Sequence, residues 1–106
     1  MWWVELPAAV GHEQVGKRPA MVISADRMNH GRSGLVVVAV MTTNAPKYPS
    51  HIAAPATVTG AKRDGTVMCE HLHTVSVERM SPRPIGQADA AVLAQVDTAI
   101  RRILAH

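Results

Sequence analysis

The run Leu35-Val36-Val37-Val38-Ala39-Val40-Met41 is apolar without interruption and rich in β-branched residues. A helix would show a three-to-four residue periodicity and a half-exposed strand would alternate, so this run is expected to be a strand covered on both faces. It ends in Thr42-Thr43-Asn44, where the apolar core gives way to hydroxyls. A chain of 106 residues has room for one core, and residues 1–106 are expected to form a single domain.

Short β-type segments surround that strand. Trp2 to Leu6 is closed by Pro7, and the polar stretch from Gly11 to Arg18 reads as a loop. Pro19 is expected at the first position of a strand running to Ser24, and Asp26 to Gly34 as a turn. Ala45 to Ser50 reads as loop, His51 to Thr59 as a weaker strand interrupted by Pro55, and Lys62-Arg63-Asp64-Gly65 as a turn. Thr66 to Val77 reads as a strand on which Val67, Cys69, His71 and His73 share one face, opposite Met68, Glu70, Leu72 and Thr74. The last segment is the clearest helix, with Asp89 as its N-cap and Leu93, Val96, Ile100, Ile103 and Leu104 along one apolar face. About five strands followed by one helix imply a mostly β fold, a small twisted sheet or barrel covered by a C-terminal helix.

Composition narrows the function. Apolar residues make up 47% and charged residues 18%, but the longest apolar run, Gly34 to Met41, is far below the ~18 residues of a membrane helix. The start Met1-Trp2-Trp3 lacks the pattern of a signal peptide, and one cysteine, Cys69, cannot form an internal disulfide, so a cytoplasmic location is expected. The net charge of +3 mildly favours a polyanionic partner. Trp2, Trp3 and Tyr48 are the whole aromatic inventory, so contacts to nucleic acid should be mostly polar.

Several chemistries fail on inspection. Gly11 to Lys17 has the glycine-lysine spacing of a phosphate loop, but Arg18 stands where Ser or Thr would bind magnesium, and a strand follows instead of a helix. Cys69, His71 and His73 lie too far apart along a strand to converge on one ion, so no metal site and no cofactor are expected. No serine sits in a nucleophile elbow, and Cys69 lies mid-strand in an apolar setting. What remains is the loop Glu13-Gln14-Val15-Gly16-Lys17-Arg18-Pro19 together with Thr42-Thr43-Asn44. A guanidinium can clamp a phosphate, a hydroxyl can donate to it, and a carboxylate can accept a proton. These are the parts of metal-free RNA cleavage, in which the substrate's 2'-OH is the nucleophile.

At these residues the sequence resembles the MazF/PemK toxins of bacterial toxin-antitoxin pairs. The likeness runs in order through Trp2-Trp3-Val4-Glu5-Leu6, Gly11-His12-Glu13-Gln14, Lys17-Arg18-Pro19-Ala20-Met21-Val22-Ile23-Ser24, Asn29, Val40-Met41-Thr42-Thr43 and Thr74 to Met80. It ends in Ile85-Gly86 and Val96 to Ile100. The resemblance implies an SH3-like small barrel with a C-terminal helix, a homodimer, and a metal-independent, sequence-selective endoribonuclease. Its product ends would be 2',3'-cyclic phosphate and 5'-OH. It also implies a cognate MazE-like antitoxin, with operator DNA reached only through that antitoxin. Carried over by motif, Arg18 and Thr42 are the catalytic pair and Glu13 takes part in acid-base work. Base selection is expected from His12, Gln14, Lys17, Thr43, Asn44, Lys47, Tyr48 and His51, polar residues of the loops beside them. Two other readings keep the fold: a CcdB-like gyrase poison without nuclease activity, and an inactive RNA-binding homologue.

Overall fold

The computed structural model describes residues 1–6, 16–43, 47–56, 64–87 and 89–104. Its strands are β1 (Trp2–Leu6), β2 (Gly16–Val22), β3 (Leu35–Thr42), β4 (His51–Ala54) and β5 (Gly65–Ser76). A short helix, α1 (Asp26–Asn29), precedes β3, and a 3-10 turn (Val77–Arg79) and a long helix, α2 (Ala90–Leu104), follow β5. The strands pair antiparallel in the order β1-β2-β3-β5-β4.

The central position of β3 explains its unbroken apolar sequence. Val36, Val38 and Val40 enter an all-strand core with Val4, Leu6, Ala20, Met68 and Val75. Ala39 and Met41 enter a second core with Met21, Val67, Cys69 and the helix residues Val92, Val96 and Ala99. Burial of a valine on either face contributes about 1.5–3 kcal/mol, so both faces select apolar residues.

The sheet curls towards a small barrel, but it does not close into a continuous ring. After the 3-10 turn the chain returns to the outer edge of β1. Met80 bridges Val4, the Ser81 amide donates to the Trp3 carbonyl at 2.8 Å, and the Ile85 amide donates to the Met1 carbonyl at 2.7 Å. This return of the chain onto its first strand realises the mostly β, barrel-like fold with a C-terminal helix. Among the described residues, no helix is long and apolar enough to cross a membrane.

Several elements differ from expectation. Gly16 to Arg18 belong to β2, because β1 supplies their partners: Leu6 faces Gly16, Glu5 faces Lys17 and Val4 faces Arg18. Pro19 therefore sits inside the strand, opposite Trp3, and the β2–β3 pairs begin at Ala20. A residue without an N–H is tolerated where one ladder stops. The turn after β2 contains α1, held by the Ser24 hydroxyl, which donates to Asn29 Oδ1 and accepts from the Val37 amide at 3.0 Å. β4 ends at Ala54, before Pro55.

β5 breaks the simple alternation read from its sequence. Ala39 pairs with Leu72 and Met41 with Val67, so Val40 alone spans the stretch occupied by residues 68–71 on β5. The bulge reverses the facing of the strand. Val67 and Cys69 lie in the helix-side core, whereas His73 pairs with Val38 of the other core and His71 is exposed.

Helix α2 is also turned relative to the expected face. Asp89 caps it as expected, its Oδ1 accepting from the Val92 amide at 2.9 Å. The buried residues are Val92, Val96 and Ala99, with Ile100 packed beside them, while Leu93, Ile103 and Leu104 are exposed. The small Ala99 allows close approach to the sheet, which favours this face over the one with more leucine and isoleucine.

Candidate RNA-cleavage site

The pairing of β2 with β3 aligns Ala20 with Val40. The ladder stops there, and the same register continued by two residues on each strand sets Arg18 level with Thr42, on the face that carries Ala20 and Val40 into the all-strand core. Thr42 in turn pairs with Thr66 of β5, and Thr66 with Ala53 of β4. Arg18, Thr42 and Thr66 thus form one row across three strands at the end of the core.

The row is half-buried, and this position matters for Arg18. Its Nε is buried and, among the described residues, has no hydrogen-bond partner. A buried donor without an acceptor is costly, more so on a charged group, and a phosphate oxygen would satisfy it. The guanidinium cannot act as a base, because it stays charged in proteins. What such a group can do here is neutralise an anion, with two threonine hydroxyls on the same row.

A second cluster lies at the bulge of β5. His51, the first residue of β4, pairs with Met68 and places its Nε2 2.6 Å from Glu70 Oε2. The His51 side chain is only 5% exposed, whereas that of Glu70 is 34% exposed. Burial would raise the Glu70 carboxyl, but its own backbone amide, the His51 hydrogen bond and charge, and a hydrogen bond from Ser50 together hold it below the ordinary carboxylate value. Tyr48 meets the His51 ring edge-on, with centroids 5.0 Å apart and planes at 61°. The Cys69 amide donates to the Ser50 carbonyl at 3.0 Å, which ties the approach to β4 onto the bulge.

The other expected site residues divide in two. Thr43 and Lys47 are exposed on either side of the 44–46 stretch, and Lys17 stands opposite Glu5 in the β1–β2 register. His12, Glu13, Gln14 and Asn44 lie outside the described residues. Cys69 is fully buried, and burial followed by the Glu70 charge pushes its thiol up to about 11, which makes it a poor nucleophile. Among the described residues, no three histidine, cysteine or carboxylate side chains gather as metal ligands.

Thr66 and Glu70 were not singled out from the sequence. Both join the site through cross-strand register, and register has no local signature in a strand. The hint was slight, since β5 also carries His71, His73, Thr74 and Ser76.

Comparison with known proteins identifies the family and the fold. Residues 1–104 match the family described as PemK-like, MazF-like toxin of type II toxin-antitoxin system. The chain is 39% identical over 106 residues to endoribonuclease MazF9 of Mycobacterium tuberculosis, covering 95% of this chain and 89% of that protein. The crystal structure of MazF from Deinococcus radiodurans superposes with a TM-score of 0.83 at 30% identity, covering 99% of this chain and 92% of that one. A MazE-MazF structure from the same organism matches with a TM-score of 0.76 at 30% identity, over 98% of this chain and 90% of that one. With the family match over residues 1–104 and a fold shared over nearly the whole length, this chain belongs to the PemK-like, MazF-like family of type II toxins.

Proposed function

We propose that this chain is a sequence-selective endoribonuclease toxin that cuts single-stranded RNA without a metal ion. The substrate's 2'-OH attacks the adjacent phosphorus, the P–O5' bond breaks, and the ends are a 2',3'-cyclic phosphate and a 5'-OH. Arg18 neutralises the charge that develops on the phosphoryl oxygens, and Thr42 donates to a non-bridging oxygen. Glu13 accepts the 2'-OH proton, since a guanidinium is no base, and the departing O5' takes up a proton from water to become the 5'-OH. The observation that carries this reading is the buried Nε of Arg18, without a hydrogen-bond partner among the described residues and level with Thr42 when the β2–β3 register is continued. The endoribonuclease activity named for the Mycobacterium tuberculosis relative supports it.

The protein acts in the cytoplasm as a homodimer, and a cognate MazE-like antitoxin neutralises it. The MazE-MazF assembly of the Deinococcus radiodurans relative supports that partner. The net charge of +3 favours an antitoxin with an acidic segment.

The test is incubation of the purified protein with a long single-stranded RNA in EDTA, with the cut ends mapped by primer extension. Cleavage at a recurring short sequence is expected, slowed about 100-fold or more in Arg18→Ala and strongly reduced in Thr42→Ala. Intact RNA with the wild-type protein would overturn the reading and direct attention to gyrase poisoning or to RNA binding without turnover.

A further inference from the structure

We propose that Tyr48 is a stacking platform for a base beside the scissile phosphate, and that Glu70 and His51 are positioning residues that hold its ring in place. The inference rests on the ribonuclease reading and deepens it.

Tyr48 is 56% exposed although its ring contacts His51. A free tyrosine ring next to polar loops would sample several rotamers and lose entropy on binding a base. Here the partner ring is held by burial and by one short contact. His51 is almost fully buried, and Glu70 fixes its imidazole through the 2.6 Å contact at Nε2. The turn that carries Tyr48 is closed by the His51 amide donating to the Tyr48 carbonyl at 3.0 Å, and is anchored to β5 through Ser50 and Cys69. A half-exposed ring on a fixed base is prepared to receive another flat ring.

Its location suits that role. His51 pairs with Met68, two residues along β5 from Thr66, the partner of Thr42. Two residues of a strand span ~7 Å, so the dyad lies a short step from the row that holds Arg18 and Thr42. A phosphate held by that row leaves a neighbouring base within reach of the Tyr48 side. Stacking on an aromatic face tolerates any base, so Tyr48 would add affinity while hydrogen-bonding groups choose the sequence.

The experiment uses an oligoribonucleotide carrying one mapped cut site, with kcat and KM measured for each variant. Tyr48→Ala should raise KM by about 5-fold to 100-fold and leave kcat within about twofold, while Tyr48→Phe should stay near wild type. Glu70→Ala should raise KM less, and Glu70→Gln, which keeps a hydrogen-bond acceptor for His51, should recover part of the loss. Glu70→Ala added to Tyr48→Ala should cost little more, because the two act through one contact. The same oligonucleotide with a 2'-deoxy sugar at the cut position and 2-aminopurine at each flanking base in turn reports stacking directly. One position should show fluorescence quenching with wild type that disappears with Tyr48→Ala.

An unchanged KM in Tyr48→Ala, full additivity of Tyr48→Ala with Glu70→Ala, or quenching that survives Tyr48→Ala would overturn the proposal. If Glu70→Ala fails to fold, the Tyr48 variants and the fluorescence decide alone. Failure of the wild type to cut RNA at all would count against the ribonuclease reading, which separates the two outcomes.

Discussion

His51 Nε2 and Glu70 Oε2, 2.6 Å apart, join the first residue of β4 to the bulge of β5. The Glu70 carboxyl, partly buried, is held below its ordinary value by its own amide, by His51 and by Ser50. A depressed carboxylate contributes stability that is present above the unfolded-state value and is lost as pH falls through the folded-state value. Thermal denaturation followed from about pH 6 down to about pH 3 should therefore show a declining melting temperature, and Glu70→Gln should have a shallower decline. Parallel curves for the two proteins would remove Glu70 from the acid response.

Arg18→Lys separates charge from shape at the phosphate row. Lysine keeps the positive charge but lacks the planar fork and the Nε that is buried without a partner among the described residues. Cleavage should fall by about 10-fold or more, with a melting temperature no lower than that of the wild type, because the costly buried Nε is gone. A fully active Arg18→Lys enzyme would mean that charge alone is used there.

The orientation of α2 is open to direct test. Val96 is 2% exposed, so Val96→Ala should destabilise the fold by about 1–3 kcal/mol. Leu104, at 53% exposure, should tolerate Leu104→Ala within about 0.5 kcal/mol in the isolated protein. Chemical denaturation of both variants distinguishes this face from the one that the leucine and isoleucine spacing favours.

Gly65 precedes Thr66 and approaches β3 closely. A Cβ placed there would lie 2.9 Å from Met41 Cε and 3.4 Å from the Thr42 carbonyl oxygen. The first neighbour is the end of a flexible thioether chain and can rotate away, so Gly65→Ser should cost less than about 1.5 kcal/mol. Cleavage should stay within a few-fold of wild type, because the Thr42 backbone has no need to move.

The strand content of the chain was legible because it rests on local chemistry. The Leu35–Met41 run, the turn residues before Gly34 and the Asp89 cap each carry their signal in adjacent residues, while the turn expected at Lys62-Arg63 lies outside the described residues. Arg18 and Thr42 were legible through sequence motifs at either end of that run. The bulge at residues 68–71, which moves His73 opposite Val38, was not, since alternation presumes an even register. The face of α2 was hidden for a related reason: hydrophobicity favoured Leu93 and Leu104, but close packing favoured Ala99. Glu70 and Thr66 enter the site only once the strands are paired.

The return of residues 80–85 onto β1 has a consequence for the protein at high local concentration. An open strand edge is a template on which another chain can add, and here one of the two edges is already occupied by the chain itself. The other edge, β4, is four residues long and stops at Pro55, which has no amide proton to donate. Among the described residues, edge-to-edge addition of a second chain therefore has little backbone to grow from.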